Sequence, residues 1–213
     1  MRDPYTRGHS LQVAKLASAV AEAIGFTGQD LELIKFAGLL HDVGKIAVPE
    51  CILQKPSFLT SSEWKVIQLH PKQSVMIIDP IKGLRQIRDW ILYHHERWDG
   101  RGYPKNVKGD RIPIQSRILS VCDTYSAMTE DRPYRKRLSD QEAREEISKV
   151  RGAQFDPMVA NIFLDLGVNG YNGNFIKTFS KHTLLGDPNF ENGSTGTGNG
   201  KGLHQGVLTI PSN

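Results

Sequence analysis

Leu31-Glu32-Leu33-Ile34-Lys35-Phe36-Ala37-Gly38-Leu39-Leu40-His41-Asp42 is the stretch that decides the fold. Its apolar residues Leu31, Leu33, Ile34, Ala37, Leu39 and Leu40 cover most of the circumference of a helix, which predicts a central helix with little face left for water. Thr27 with Asp30 reads as a capping box at its start. Upstream, Val13, Leu16, Ala17, Val20, Ala21 and Ile24 recur at intervals of three and four, one buried stripe on an amphipathic helix that Gly25 stops. Downstream, Thr60 with Glu63 caps a third helix carrying Trp64, Ile67 and Leu69, and Pro71 suits a helix first turn after His70. Ile87, Trp90, Ile91 and Leu92 mark a helix that leads into His94-His95. Gly100, Gly102, Pro104 and Gly109 make the next stretch a loop. Pro113 opens a buried helix with Ile114, Ile118, Leu119, Val121, Cys122 and Tyr125. Ser139 with Glu142 and Asp156 with Pro157 open two more, and Gly167 ends the last. No segment before residue 167 alternates with period two, so the expected fold is all-α, a compact bundle of about seven to eight helices.

The chain has 213 residues, of which 38% are hydrophobic and 23% charged, a globular composition that excludes a wholly disordered or fibrous protein. The net charge of +4 is compatible with an anionic ligand, but no run of basic residues lays down a stripe for DNA or RNA. The longest apolar runs fall far short of the roughly 20 residues that cross a bilayer, and no apolar signal core follows Met1, so a soluble, cytoplasmic protein is expected. Cys51 and Cys122 both lie in segments whose neighbours suggest packing, which argues against a disulfide framework and makes a reducing compartment the default. The expected organisation is one domain over residues 1–166, followed by a glycine- and asparagine-rich tail, 167–213, that cannot offset its chain entropy and is expected to be flexible. The abrupt start at Asp3-Pro4-Tyr5 reads as the edge of a fragment or a shortened gene.

The polar residues most used as metal ligands fall at helix ends or inside apolar helices: His9, His41-Asp42, His70, His94-His95 and Asp123. Burying any of them without a partner costs roughly several kcal/mol, so residues placed like this call for each other, a helix terminus or a cation. A single histidine at a helix end reads more readily as a capping or satisfied side chain than as a ligand, whereas His41-Asp42 reads either way. Together they supply enough nitrogen and oxygen donors for two divalent cations with one carboxylate free to bridge. A mixed histidine and carboxylate set suits iron, manganese or zinc better than magnesium or calcium, and the lack of ligating cysteines argues against a structural zinc finger.

His41-Asp42-Val43-Gly44-Lys45, followed by His94-His95-Glu96-Arg97-Trp98-Asp99-Gly100-Arg101-Gly102-Tyr103-Pro104, resembles the HD-GYP family, a branch of the HD phosphohydrolases. The likeness runs from Arg2 to about Leu166 and includes Asp3-Pro4-Tyr5-Thr6, Asp123 to Arg135 and Gln154-Phe155-Asp156-Pro157. What it implies is a two-metal phosphodiesterase that opens cyclic di-GMP to pGpG and can continue to GMP. By similarity one metal would be held by His9, His41, Asp42 and Asp123 and the other by Asp42, His70, His94 and His95, with iron or manganese preferred and zinc accepted. Some relatives hold a third metal through a glutamate where this chain has Tyr5, and relatives more commonly carry Asp at Ser126. The resemblance also assigns Arg132 and Arg135 to the substrate.

Beside the likeness, Lys45 lies three residues after Asp42 and could orient a phosphate oxygen. Gly100 and Gly102 let the loop turn and carry Tyr103 over the site, where it could stack on guanine or hydrogen-bond phosphate. Without the likeness, Arg132 to Arg137 would read as a solvated loop. Glu96 and Asp99 read either as partners for histidine ring N–H groups or as loop braces. Two rivals stay open: a scaffold that binds cyclic di-GMP or a diguanylate cyclase domain without hydrolysis, and an HD hydrolase for another phosphate ester. An upstream receiver or sensor domain missing from this chain is a further expected partner.

Overall fold

The computed structural model describes residues 4–131 and 136–167, with side chains from residue 8 onward. The expected contacts of Arg132 and Arg135 and the expected glycine-rich tail therefore lie outside the described residues. Within them the fold is all-α, as the apolar spacing predicts, with no strand beyond one isolated bridge between Arg151 and Phe155. The order is α1 (Pro4–Ile24), α2 (Gln29–Leu40), a 3₁₀ turn (Val43–Ala47), α3 (Glu50–Leu53), α4 (Ser61–Ile67) and α5 (His70–Ile78). A second 3₁₀ turn (Lys82–Ile87) runs into α6 (Arg88–Leu92). A third (Gly109–Arg111) precedes α7 (Ile114–Thr129), α8 (Asp140–Lys149) and α9 (Pro157–Asp165). No helix among the described residues is long and apolar enough to cross a membrane.

Local signals set most of the boundaries. Gly25 leaves α1 with φ 106°, a conformation that side chains with a Cβ avoid, and the chain turns there. Capping boxes form at Thr60 with Glu63 and at Ser139 with Glu142, while Asp156 accepts from the backbone N–H groups of Met158 and Val159 with Pro157 behind it. The box expected at Thr27 does not form. Gly28, at φ 56°, takes the N-cap position of α2 without any side-chain cap.

The element at the centre also differs from the expectation. α2 buries Leu33, Ile34, Ala37 and Gly38, yet Phe36 is 45% exposed, so α2 flanks the core. α7 is the element buried nearly all round, from Ile118 to Met128, because α1, α6, α8 and α9 all pack on it. Its polar residues obscured this in the sequence, and several find partners inside: Thr124 Oγ1 donates to Ser120 O at 2.8 Å, and Ser116 Oγ to Trp90 O at 2.9 Å. Cys122 is buried and Cys51 is exposed; both are free thiols, so only one of the two packs as expected.

α1 and α2 cross at their small residues. A Cβ built on Gly38 would lie 2.6 Å from Ala14 Cα and 2.9 Å from Ala14 N, so the two backbones touch there, and this contact sets the distance between His9 and His41. Gly38→Ala forces the helices apart and should lower the unfolding free energy by about 1–3 kcal/mol, the usual cost of overpacking a tight site. A urea titration measures it, and an unchanged midpoint would contradict the close approach.

Candidate metal centre

Helix ends deliver three of the predicted histidines in the same manner. The last carbonyls of an α-helix have no intrahelical donor. His41 follows α2 and its Nδ1 donates to Gly38 O at 2.8 Å; His70 follows α4 and donates to Ile67 O at 2.8 Å; His94 follows α6 and donates to Ile91 O at 2.6 Å. A carbonyl only accepts, so Nδ1 carries a proton in each ring and Nε2, on the opposite side, is the atom that can ligate once it holds no proton of its own. His9 and Asp123 come instead from within α1 and α7, with His9 Nε2 3.0 Å from Asp123 Oδ1.

The structure brings all seven predicted donors together in two overlapping sets. One donor atom from each of Asp42, His70, His94 and His95 lies within 4.8 Å of the others, and the same holds for His9, His41, Asp42 and Asp123. Asp42 belongs to both: its Oδ1 is 3.2 Å from His70 Nε2 and its Oδ2 3.4 Å from His41 Nε2. His41 Nε2, Asp42 Oδ1, His95 Nε2 and Asp123 Oδ1 are buried without a hydrogen-bond partner, and His70 Nε2 faces His94 Nε2 at 3.4 Å. Buried polar atoms are almost always bonded, and lone pairs facing each other repel. Converging orphans of this kind fit divalent cations, and an all-nitrogen and oxygen donor set fits borderline transition metals.

The electrostatics divide the site in two. Burial would raise the Asp42 carboxyl, but Lys45 and His41 outweigh it and hold the group well below its ordinary value; His41 and His9 do the same for Asp123. Burial would strip His41 of its proton, yet the two carboxylates win and raise it to about 10, and His9 is raised in the same way. His94, buried and beside His41 and His70, is pushed down to about 3, and His95 falls well below its ordinary value for like reasons. His94 and His95 are therefore held neutral by burial, while His9 and His41 favour the protons that balance the carboxylates.

Lys45 reaches Asp42 because α2 gives way to the 3₁₀ turn Val43–Ala47, in which positions three apart eclipse; Nζ lies 2.7 Å from Asp42 Oδ2. A Cβ on Gly44 would fall on His70 O and Ser74 N, so only glycine lets this turn lie against α5. Ser74 Oγ accepts from Gly44 N and donates to His41 O, both at 2.8 Å, tying the turn to α5.

The loop after His95 folds back as expected. Gly102 packs so closely on the backbone of His95, Glu96 and Arg97 that a Cβ would overlap it. Tyr103 then stacks on His95 with ring centroids 4.8 Å apart, and Trp64 meets its edge at 6.3 Å. Burial and the two carboxylates push the Tyr103 phenol well above its ordinary value, so it keeps its proton. Of the two readings of Glu96 and Asp99, the contacts favour bracing. Asp99 takes both forks of Arg97, at 3.1 and 2.7 Å, and Glu96 Oε1 accepts from Lys105 N at 2.6 Å.

Some partners were not read from the sequence. Ser74 and Trp64 give no signal of their own, whereas Glu130 does, since Asp123, Ser126 and Glu130 fall on one face of a helix. Ser126, the departure noted in the sequence, lies 3.0 Å from His9 Nδ1 through its Oγ.

A family model described as HD domain matches residues 1–159. A cyclic di-GMP phosphodiesterase of Thermotoga maritima is 38% identical over 78% of this chain and 45% of its own length. One of Pseudomonas aeruginosa is 39% identical over 76% and 39%, and a 3'3'-cGAMP-specific phosphodiesterase of Vibrio cholerae is 36% identical over 77% and 32%. The chain thus spans a third to under half of the length of these relatives. Among solved structures, an HDG"Y"P protein from Bdellovibrio bacteriovorus aligns with a TM-score of 0.62 at 18% identity, over 76% of this chain and 52% of its own, a likeness of fold.

Cation binding should be coupled to proton release. Without a cation His41 keeps its proton up to about pH 10 and His9 holds its own more firmly than an ordinary histidine, whereas ligation needs both Nε2 lone pairs. Titration of the cation-free chain with Mn²⁺ at neutral pH should therefore release protons, and the apparent affinity should rise as the pH is raised toward 10. Calorimetry in two buffers of different ionisation enthalpy reads the protons released; a heat independent of buffer would contradict this account.

Proposed function

The chain belongs to the HD-domain family, in its HD-GYP branch, and on that premise we propose that residues 1–166 form a metal-dependent phosphodiesterase domain that hydrolyses cyclic di-GMP to pGpG, with GMP as a further product. The observation that carries the reading is the pair of four-residue donor sets sharing Asp42, with buried orphan atoms facing one another. His9, His41, Asp42 and Asp123 would hold one divalent cation, and Asp42, His70, His94 and His95 a second, iron or manganese by preference and zinc by the same donor chemistry. Such a pair, when bound, supplies a water acidified toward neutrality and neutralises charge on a phosphate diester.

The remaining roles fall to the chain itself. Lys45 keeps Asp42 ionised and oriented, and its ammonium is proposed to meet a phosphate oxygen at the same edge. Tyr103, protonated and held against His95, is proposed to donate to phosphate or to stack on guanine. Arg132 and Arg135 are proposed to contact the substrate on the strength of the motif alone. Cyclic di-GMP is the proposed partner and the cytoplasm the proposed location. A diguanylate cyclase domain, and a receiver or sensor domain joined upstream, are proposed as further partners on the family resemblance.

A scaffold role is the weaker reading, because a domain that only gripped the dinucleotide would have no use for two sets of buried, convergent ligands. The names of the relatives divide between cyclic di-GMP and 3'3'-cGAMP, so both belong in the assay. Protein purified without oxygen should carry about two metals per chain. With Mn²⁺ or Fe²⁺ it should linearise cyclic di-GMP, and Asp42→Ala should abolish turnover together with metal retention. Binding without product would favour the scaffold, and turnover of other phosphate esters alone would favour the second rival.

A further inference from the structure

We propose that Glu130 is the positioning residue for His9: with the Ser126 hydroxyl it holds the His9 proton on Nδ1, so that Nε2 stays open toward Asp123, His41 and Asp42. The inference rests on the reading of that cluster as a metal site and concerns how this chain keeps one ligand in the right tautomer.

The case begins with a difference among the histidines. His41, His70 and His94 each follow a helix and take one of its unused terminal carbonyls as the acceptor for Nδ1–H. His9 lies inside α1, where the carbonyls of the preceding turn are engaged by the helix itself. Its Nδ1 must find an acceptor in a side chain, and the structure supplies that from α7, the helix that also carries Asp123. Ser126 Oγ is 3.0 Å from Nδ1, and Glu130 Oε2 is 3.5 Å away.

The two contacts are not equivalent. A hydroxyl donates or accepts, so Ser126 alone leaves the tautomer undecided. Gln12, whose Oε1 is 3.1 Å from Ser126 Oγ, does not settle it either, because an amide turned end for end exchanges acceptor for donor. An ionised carboxylate only accepts. Glu130 Oε1 lies 3.5 Å from Ser126 Oγ, so the same carboxylate draws the hydroxyl proton away from His9 and takes the imidazole proton directly. Both routes draw a proton to Nδ1, against the competing pull of Asp123 Oδ1 at 3.0 Å from Nε2, so the balance between the two carboxylates decides how readily Nε2 is freed for a cation. Glu130 is itself anchored: it caps α7 with its backbone N–H on Ser126 O at 3.1 Å, and its side chain is only 23% exposed.

The test uses the full chain and moves the carboxylate. Glu130→Ala and Glu130→Gln remove the obligate acceptor, the second keeping the shape of the side chain should the first fail to fold. Ser126→Asp combined with Glu130→Ala returns a carboxylate one turn earlier, at the position already within reach of Nδ1. Zn²⁺ titration should show one of two bound ions weakened roughly tenfold or more in the single variants, the usual cost of losing such a partner, and restored to within a few-fold in the double variant. Nitrogen-15 NMR of the cation-free chain, at alkaline pH where the ring is neutral, reads the share of His9 protonated on Nδ1 against the share drawn to Nε2 by Asp123; that Nδ1 share should fall in the single variants and return in the double variant, with His41, His70 and His94 unchanged. A folded Glu130→Ala protein with parental affinity and tautomer, or a folded double variant that restores neither, would overturn the proposal. If the parent binds no zinc, the functional reading fails, while the tautomer measurement still decides the role of Glu130.

Discussion

Two ionised carboxylates, Asp42 and Asp123, lie inside a helical core, and the rest of the molecule is arranged around compensating them. Buried charge is tolerated only where opposite charge and hydrogen bonds meet it, and both carboxylates are buried. The chain meets it with Lys45 on one side and with protonated His9 and His41 on the other when no cation is bound. His94 and His95, beside this balance but kept neutral by burial, complete the donor set without adding charge. The centre is thereby able to exchange protons for metal while its surroundings stay folded.

Helix termini do the aiming. The carbonyls of Gly38, Ile67 and Ile91 would each be an unsatisfied group at the end of a helix, and each instead orients an imidazole. The helix ends that limit the bundle are thus the same features that fix the tautomers. Glycine at 44 and 102 brings the neighbouring backbones close enough for this to happen on both sides of Asp42.

Much of this was legible in the sequence where the physics is local. Caps at Thr60, Ser139 and Asp156 depend on residues three apart, and the breaks at Gly25 and Gly167 depend on one residue each. The side chains that converge on the candidate centre were legible as types, since buried histidines and aspartates call for a partner. What was not legible depends on contacts between distant residues. Nothing near Thr27 announces that Gly28 takes the cap in its place. Ser116, Thr124 and Ser126 made α7 look less buried than α2, because their acceptors are supplied by α6 for Ser116, by α7's own backbone for Thr124 and by the side chains of Gln12 and Glu130 for Ser126. Ser126 meets His9 across 117 positions, so the pair has no local signature.

The separation of the donors along the chain bears on how a cell selects the ion. His9 sits near the start and Asp123 at the heart of α7, and the cluster closes only when both are in place with Asp42 between them. A chain still lacking α7 cannot complete the set of His9, His41, Asp42 and Asp123, so a metal meeting loose ligands there gains little hold at that stage. On the proposed reading, choice among metals at this set would pass to the finished cavity, with its fixed distances and its two carboxylates, and its loading would be an act of the mature protein in equilibrium with the metal pool around it.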